Sequence, residues 1–331
     1  MSEPKPLLSI IIVHYRTPRL LLACIKSILQ DTYDGPLEIV VVDNGGLTPP
    51  VRDDLKKLPN VQCIDTGYNA GFARANNVGI RHAKGKYILL INPDSTIVPG
   101  FLSTMVTNYQ LYENKEKLGL MGCRIINPEN GHVFEYGSGR GFYRLQHILR
   151  QNPLYIWVLR RRNTKKTYTA QKLHYVNHFV DFVSGACVMV NKEVLIKENL
   201  FLDETFFLYY EDMEWSFRWK KRGFNNRLCG ETEIVHVNSA STSKFSNKSA
   251  QIIISQYLFL LKTHSKVSYI VGGILHWINF KLNLHLTKKK NVKRYKELIY
   301  EQKLFSNYYF QLVRGSKPSK GKYLNYVAEE T

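Results

Sequence analysis

The sequence lacks the features that mark several protein classes. Its five cysteines are scattered over 331 residues without a CxxC pair, which argues against a disulfide framework and a thiolate metal site and favours reduced thiols in a cytosolic compartment. The N-terminal stretch MSEPKPLLSIIIVHY has no small-residue cleavage site after its short apolar run, so we expect no signal peptide. The longest nearly apolar run, 267–280, has 14 residues, which is fewer than the ~20 that a membrane-spanning helix needs.

Acidic residues are scarce in two segments. Residues 140–175 hold nine Lys and Arg and no Asp or Glu, and residues 241–331 hold sixteen Lys and Arg against four Asp and Glu. These segments carry +9 and +12 of a net charge of +19, so the remaining residues carry −2. A nearly neutral body with two basic segments predicts an anionic partner, which is a membrane surface, a nucleic acid or a phosphorylated substrate. A solvated basic face is the alternative.

Buried strands and helices alternate in the first hundred residues. Apolar runs rich in β-branched residues occupy 7–15, 37–44 and 85–95, and helical patterns lie between them. This alternation predicts an α/β fold with a largely parallel sheet. Ligands bind at the carboxyl ends of strands in such sheets. The polar strand ends at Asp43-Asn44 and Asn92-Pro93-Asp94 are therefore candidates for one shared site, although each alone is ordinary turn chemistry.

The stretch FFLYYEDMEW, residues 206–215, sets three carboxylates inside an aromatic run at the start of a predicted helix, 211–224. A carboxylate among rings must recover lost solvation from a partner. Asp212 and Glu214 lie two positions apart and so face different sides of the helix. We expect Glu214 to form a surface ion pair with Arg218. For Trp215, core packing is the first interpretation and a platform that stacks on a sugar is the second.

The character of the chain changes after about residue 245. Two apolar helical segments precede the basic run KKKNVKRYK. The apolar run 267–280 suits a helix that lies in a membrane interface with lysines on lipid phosphates. An ordinary core helix with a basic tail is the alternative.

Seven segments carry a resemblance to a known family. They are SIIIVHYRTPRLLLACIKSI, IVVVDNGG, NAGFARANNVGI, YILLINPDS, GACVMVNKEV, FLDETFFLYYEDMEWSFRWKKRGF and IVHVNS. Over roughly residues 7–245 the chain resembles family 2 inverting glycosyltransferases, most closely the bacterial branch with rhamnosyltransferases and galactofuranosyltransferases. The resemblance implies a GT-A fold, with a Rossmann-like, mostly parallel central sheet flanked by helices. It implies a nucleotide-sugar-binding half at 1–130 and an acceptor-binding half with the catalytic base at 131–244. The composition of 245–331 adds a basic, amphipathic helical extension that we expect to associate with a membrane.

The same resemblance assigns roles to individual residues. It places Tyr15 and Thr17 around the base of the nucleotide sugar and Asp43 on the pyrimidine. It places Arg74 and Asn77 near the ribose and diphosphate, and it places Asn92 and Asp94 in the family's DxD motif. Asn92 departs from that motif, and its carbonyl can still coordinate Mg²⁺ or Mn²⁺. Asp94 and His236 are the candidate metal ligands, although a structural role remains open for His236.

The catalytic base is expected in the ED pair. Asp212 aligns best with it, and Glu211 is the alternative or a helper. The resemblance places Gly185, Ala186 and Trp215 at the sugar and acceptor pocket, whereas plain close packing would also explain the small residues of SGA.

Taken together, the sequence predicts a cytoplasmic, peripheral membrane, metal-dependent hexosyltransferase of cell-wall polysaccharide biosynthesis. We expect a dTDP-rhamnose donor first and a UDP-sugar next, a polyprenyl-diphosphate-linked glycan as acceptor, and no nucleic acid partner, and we leave open an oligomer. One alternative is a sugar-nucleotide pyrophosphorylase, which the lack of glycine in VHYRTPRLLL disfavours. The other is a nucleic-acid-binding protein, suggested only by charge and by LRRRNTKK at 159–166.

Overall fold

The computed structural model describes residues 6–129, 131–133, 138–139, 141–150, 175–237, 248–287 and 292–313. Most of the basic insertion, including 159–166, and the run at 288–290 therefore lie outside the described residues. The described residues divide into two compact units. Unit 1 holds the residues up to 142, 175–207 and 211–237, and unit 2 holds 143–150, 208–210 and the helices from 248 to 313.

The strands of the described residues all belong to unit 1. They are β1 Leu8–His14, β2 Leu37–Asp43, β3 Val61–Asp65, β4 Tyr87–Ile91, β5 Ser95–Ile97, β6 Leu118–Ile126, β7 Ser138–Gly139, β8 His178–Val180, β9 Phe182–Val183, β10 Cys187–Asn191 and β11 Asn225–His236. Their β-branched residues suit a pleated and buried surface.

Six helices of the described residues lie in unit 1. They are α1 Pro18–Leu29, α2 Pro49–Lys56, α3 Gly71–His82, α4 Phe101–Glu113, α6 Lys192–Lys197 and α7 Glu211–Lys221. Helices α1 and α2 begin with proline, whose fixed φ suits the first helical position. Unit 2 contains α5 Leu145–Arg150, α8 Lys248–Thr263, α9 Lys266–Thr287 and α10 Val292–Val313. Among the described residues, no helix is both long enough and apolar enough to cross a membrane.

The central sheet has the order β3-β2-β1-β4-β10-β6-β11-β5, with β8 paired to β11. Strands β1, β2, β3, β4, β6 and β11 run in one direction, and β5, β8 and β10 run against them. The prediction of an α/β fold with a mostly parallel sheet flanked by helices is therefore confirmed. The predicted strand at 85–95 is divided, because the amide of Ser95 donates to the carbonyl of Asn92 and turns the chain after β4.

Apolar residues fill both faces of the sheet. Along β1, Ile10 and Ile12 pack into the cluster that contains Leu21 of α1, and Ile11 packs into the cluster that contains Ile80 of α3. This alternation follows from the two-residue period of a strand. Strands β1 and β2 each end with a polar residue, His14 and Asp43.

Candidate active site

One edge of the sheet collects the strand ends that carry polar residues. His14 at the end of β1 pairs in register with Asp43 at the end of β2, and Asn92 follows β4. Strand β10 runs the other way, so it begins at this edge, directly after Gly185 and Ala186. Strand β11 ends here with His236, which pairs with Ser95 of β5. The edge therefore brings together residues from widely separated parts of the chain.

Asn92, Asp94 and His236 form a contiguous polar group at this edge. Nε2 of His236 lies 3.0 Å from Oδ1 of Asp94, and the side-chain amide of Asn92 lies 3.3 Å from the same Nε2. The amide of Val237 donates to the carbonyl oxygen of Asp94 at 3.0 Å, which fixes β11 to the turn that follows β4. All three predicted side chains thus lie together.

The donor set of this group fits a divalent cation in part. A carboxylate, an amide and an imidazole are oxygen and nitrogen ligands that Mn²⁺ accepts, and an amide carbonyl also suits Mg²⁺. Within the described ranges, no group of three or more His, Cys, Asp and Glu side chains has the arrangement of a metal site. A cation held by Asp94 and His236 would therefore take further ligands from the substrate or from water.

Asp212 lies at the N-terminus of α7 and is bound by two backbone amides. Its Oδ2 accepts the N–H of Gly185 at 2.9 Å, and its Oδ1 accepts the N–H of Met213 at 2.7 Å. The neighbouring residue Ala186 accepts the N–H of Asn92 at 3.0 Å. A short hydrogen-bonded path therefore connects the predicted base to the predicted metal ligands.

The two carboxylates of the ED pair have different surroundings. Glu211 is 5% exposed, and its Oε2 has no hydrogen-bond partner among the described residues. Burial, and then the charge of Asp212, raise the pKa of Glu211 well above its ordinary range. Burial also raises the pKa of Asp212, but its backbone hydrogen bonds from Gly185 and Met213 work against this shift because they stabilise the anion. Of the two carboxylates, Asp212 therefore has the surroundings that better stabilise a negative charge.

Gly185 is closely packed at this point. A Cβ added there would lie 3.1 Å from the ring of Phe72 and 3.5 Å from Cβ of Asp212. Close packing is therefore enough to explain the small residue. A role of Gly185 and Ala186 in approaching a sugar stays a prediction.

Asp43 is the centre of a buried polar network that the sequence did not reveal. Its Oδ2 accepts Nη2 of Arg52 at 2.6 Å, and its Oδ1 accepts the N–H of Gly45 at 3.0 Å and lies 3.4 Å from Nδ1 of His14. Nε2 of His14 accepts the N–H of Thr17 at 3.0 Å, which places the proton of a neutral imidazole on Nδ1. Burial lowers the pKa of His14, although Asp43 opposes this shift.

The predicted base pocket lies beside this network. Tyr15 and Thr17 follow β1 directly, and Oγ1 of Thr17 is buried without a hydrogen-bond partner in the described part of the chain. The backbone at Gly45 has a φ of 116°, which favours glycine, and an added Cβ there would lie 3.5 Å from the ring of Tyr15. A nucleobase site at Tyr15 and Thr17 stays a prediction.

Arg74 and Asn77 bind a loop of the chain itself. Nδ2 of Asn77 donates to the carbonyl of Leu202 at 2.9 Å and to Glu204 at 3.0 Å, and its Oδ1 accepts the N–H of Leu202 at 3.1 Å. Nε of Arg74 donates to the other carboxylate oxygen of Glu204 at 3.2 Å. These contacts attach α3 to the segment before α7. Asn77 is 1% exposed and held by these hydrogen bonds, and its role near a ribose or diphosphate stays a prediction.

The structure corrects one expectation for α7 and separates the two interpretations of Trp215. Glu214 does pair with Arg218, at 2.7 Å, but the carboxylate is buried and the pair is not a surface one. Trp215 is 1% exposed, and its Nε1 donates to the carbonyl of Leu200. Its ring lies inside the core, which agrees with core packing, the first interpretation, and leaves no exposed ring face for the second, a platform that stacks on a sugar. Helical spacing predicts which residues pair but not how deeply another element covers them.

Comparison with known proteins identifies the family. The family model described as Glycosyl transferase family 2 matches residues 9–197, which is more than half of the chain. The chain belongs to glycosyl transferase family 2. The resemblance read from the sequence is thereby confirmed. The matched region contains the strand ends at Asp43 and Asn92 and ends before α7 and His236.

Individual relatives of this glycosyltransferase are distant. The low-salt glycan biosynthesis hexosyltransferase Agl10 of Haloferax volcanii is 27% identical over 248 residues, which cover 72% of this chain and 70% of that protein. The N-acetylglucosaminyl-diphospho-decaprenol L-rhamnosyltransferase of Mycobacterium tuberculosis is 24% identical over 246 residues, which cover 70% of this chain and 76% of that protein.

A solved structure shares the fold. The crystal structure of GalNAc-T7 with UDP, GalNAc and Mn²⁺ superimposes with a TM-score of 0.54 at 16% identity. The match covers 77% of this chain and 48% of that one, so the chain spans about half the length of that enzyme. This likeness supports the GT-A fold, and at this identity it extends to the fold alone.

Proposed function

We propose that the protein is an inverting hexosyltransferase that moves a sugar from a nucleoside diphosphate to a glycan acceptor. The observation that carries the proposal is the position of Asp212, whose carboxylate is held by two backbone amides beside the strand ends at Asn92 and Ala186. An inverting transfer needs a base at the acceptor and charge neutralisation at the leaving group, and this edge of the sheet has candidates for both.

In this proposal Asp212 accepts the proton of the acceptor hydroxyl as that oxygen attacks the anomeric carbon. The bond from that carbon to the diphosphate breaks, and the nucleoside diphosphate leaves with the bonding electrons. General-base catalysis of this kind contributes about 10²–10⁴-fold to the rate. Glu211 stays protonated, because a second buried negative charge next to Asp212 is unfavourable.

The proposed cation would bind next to the departing diphosphate. Asp94 and His236, with the amide of Asn92, would hold Mg²⁺ or Mn²⁺, which would neutralise charge on the leaving group. Arg74 is partly exposed and paired with Glu204. A phosphate bound there would compete with Glu204 for this guanidinium.

For the substrates we propose a dTDP-rhamnose donor first, a UDP-sugar next, and a polyprenyl-diphosphate-linked acceptor in bacterial cell-surface polysaccharide synthesis. Support comes from the mycobacterial relative, which is named as a rhamnosyltransferase acting on a diphospho-decaprenol. The basic composition of residues 241–331 supports work at the cytoplasmic face of a membrane as a peripheral protein.

The test is release of nucleoside diphosphate by the purified full chain. dTDP-rhamnose and several UDP-sugars are each incubated with Mn²⁺ and a lipid-linked glycan acceptor, and the anomeric configuration of the product is read by NMR. We expect release from one donor class and a product of inverted configuration. No release from any donor would refute the transferase, and a retained configuration would refute Asp212 as a base at the acceptor.

A further inference from the structure

Helix α9 of unit 2 has one face that is fixed by packing. The hydroxyl of Tyr257 donates to the carbonyl of Gly272 at 2.8 Å, and Nδ2 of Asn279 donates to the carbonyl of Ile148 at 2.8 Å. A Cβ added at Gly273 would collide with the ring of Tyr309. These contacts to α8, α5 and α10 set which side of α9 faces inward.

The opposite face of α9 is apolar and uncovered by the described residues. The exposed fraction of its six apolar residues ranges from 38% to 68%, and the six are Val267, Ile270, Val271, Ile274, Trp277 and Ile278. Their spacing of three and four residues places them on one stripe, opposite Gly272, Gly273 and Asn279. Single exposed apolar residues are ordinary, but a continuous stripe of this kind marks an interaction surface. We call these six residues the α9 stripe.

Positive charge surrounds the α9 stripe. Lys266 precedes it and Lys281 follows it, both exposed, and Nζ of Lys281 lies 5.5 Å from the ring centroid of Trp277. From 248 to 296 the sequence has nine Lys and one Arg and no Asp or Glu. The partner must therefore offer an apolar layer to the stripe and negative charge to the lysines.

A second copy of the chain does not fit this requirement. A two-fold contact would place the same patch on both sides, so that lysines would meet lysines across the interface. A lipid leaflet with anionic headgroups offers acyl chains and phosphates in the right order. Tryptophan also prefers the level of the headgroups, where Trp277 would lie.

We propose that the α9 stripe inserts into the surface of an anionic lipid bilayer, with α9 lying in the plane of the membrane and its lysines on the headgroup phosphates. This specifies the membrane association proposed above and rests on it. It assigns the membrane contact to one face of α9 and to lipids with anionic headgroups.

Co-sedimentation of the full chain with lipid vesicles tests the surface. Vesicles of phosphatidylcholine alone are compared with vesicles that also contain phosphatidylglycerol. We expect binding to the mixed vesicles, and a partition coefficient at least about tenfold lower for the double variant Ile274→Ser, Trp277→Ser. Replacing Lys266 or Lys281 by Gln should lower binding to the mixed vesicles about fivefold each. Ile196→Ser on α6 is the matched control, since Ile196 is 52% exposed and Ile274 is 55% exposed.

Three outcomes would overturn the proposal. They are no binding of the unaltered chain to either vesicle, equal binding by the double variant, and a dimer in sedimentation velocity that the double variant abolishes without a change in lipid binding. Thermal unfolding midpoints check that the variants are folded. Release of nucleoside diphosphate with a water-soluble acceptor does not involve the α9 stripe, so failure of the transferase and failure of the lipid surface are separate results.

Discussion

Replacing Asp212 by Asn removes the charge of the proposed base and keeps its shape. In the native chain, Oδ2 accepts from Gly185 at 2.9 Å and Oδ1 accepts from Met213 at 2.7 Å. The Asn side chain can accept only one of these N–H groups and turns its NH₂ toward the other, which should lower the free energy of unfolding by about 1–3 kcal/mol. Loss of the base should lower kcat about 10²–10⁴-fold, equivalent to ~3–5 kcal/mol in the activation barrier.

Steady-state release of nucleoside diphosphate measures this change, with binding of the donor nucleotide followed by thermal shift. Glu214→Gln is the matched control on the same helix. Because the Glu214–Arg218 pair is buried, we expect the control to lose about 1–3 kcal/mol of stability but to keep its kcat. A kcat for Asp212→Asn within about tenfold of the native value would contradict its role as a general base. So would equal losses of kcat in the two variants.

Three further predictions follow from the same edge of the sheet. Burial raises the pKa of Glu211 above its ordinary value of 4.5, so the folded state binds this proton more tightly than the unfolded chain and stability falls as pH rises from 4.5 toward the raised pKa. Glu211→Gln should remove that fall in denaturant titrations at several pH values, and an unchanged pH dependence would exclude a neutral Glu211. Asp94→Asn should weaken the Mn²⁺-dependent thermal shift with dTDP or UDP about tenfold in Mn²⁺ concentration, and an unaltered shift would remove Asp94 from the cation site. Gly71→Ala should cost about 2–4 kcal/mol, since Gly71 has a φ of 78° and its added Cβ would lie 2.6 Å from the carbonyl oxygen of Phe207. Gly67→Ala controls for φ alone, because Gly67 has a φ of 75° with no atom within 4 Å of an added Cβ, and equal losses in the two would refute the clash.

Local patterns were enough to predict the parallel half of the fold. The runs that became β1, β2 and β4 are buried and rich in β-branched residues, and their polar ends do meet at one edge. The sequence did not predict that β5 and β10 run against the other strands. Strand direction depends on pairings such as Cys187 with Ile91, and no local periodicity records a partner about a hundred positions away.

The candidate site was likewise predictable where local sequence was enough and not where tertiary packing decides. Asp94, His236 and Asn92 were predicted and lie together, because each ends or follows a strand. The sequence did not predict Arg52 as the partner of Asp43. Arg52 lies on the short helix α2, and its contacts with the ends of β2 and β3 depend on tertiary packing that the local sequence does not show. His14 did carry a signal, as a polar residue at the end of a buried strand in register with Asp43.

The order of strands in the sheet also has a consequence for how the chain acquires activity during synthesis. Strands β1 to β4 pair among themselves within the first 91 residues, but β10 and β11 begin only at Cys187 and Asn225 and occupy the other side of the sheet. Pairings between distant residues form slowly, because a long loop must close first. The candidate site needs His236 from β11 and Asp212 from α7. A ribosome-bound chain therefore has β1 to β4 long before it has Asp212, the proposed base. Under the proposed function, it becomes competent for transfer only when β11 has emerged and inserted beside β6.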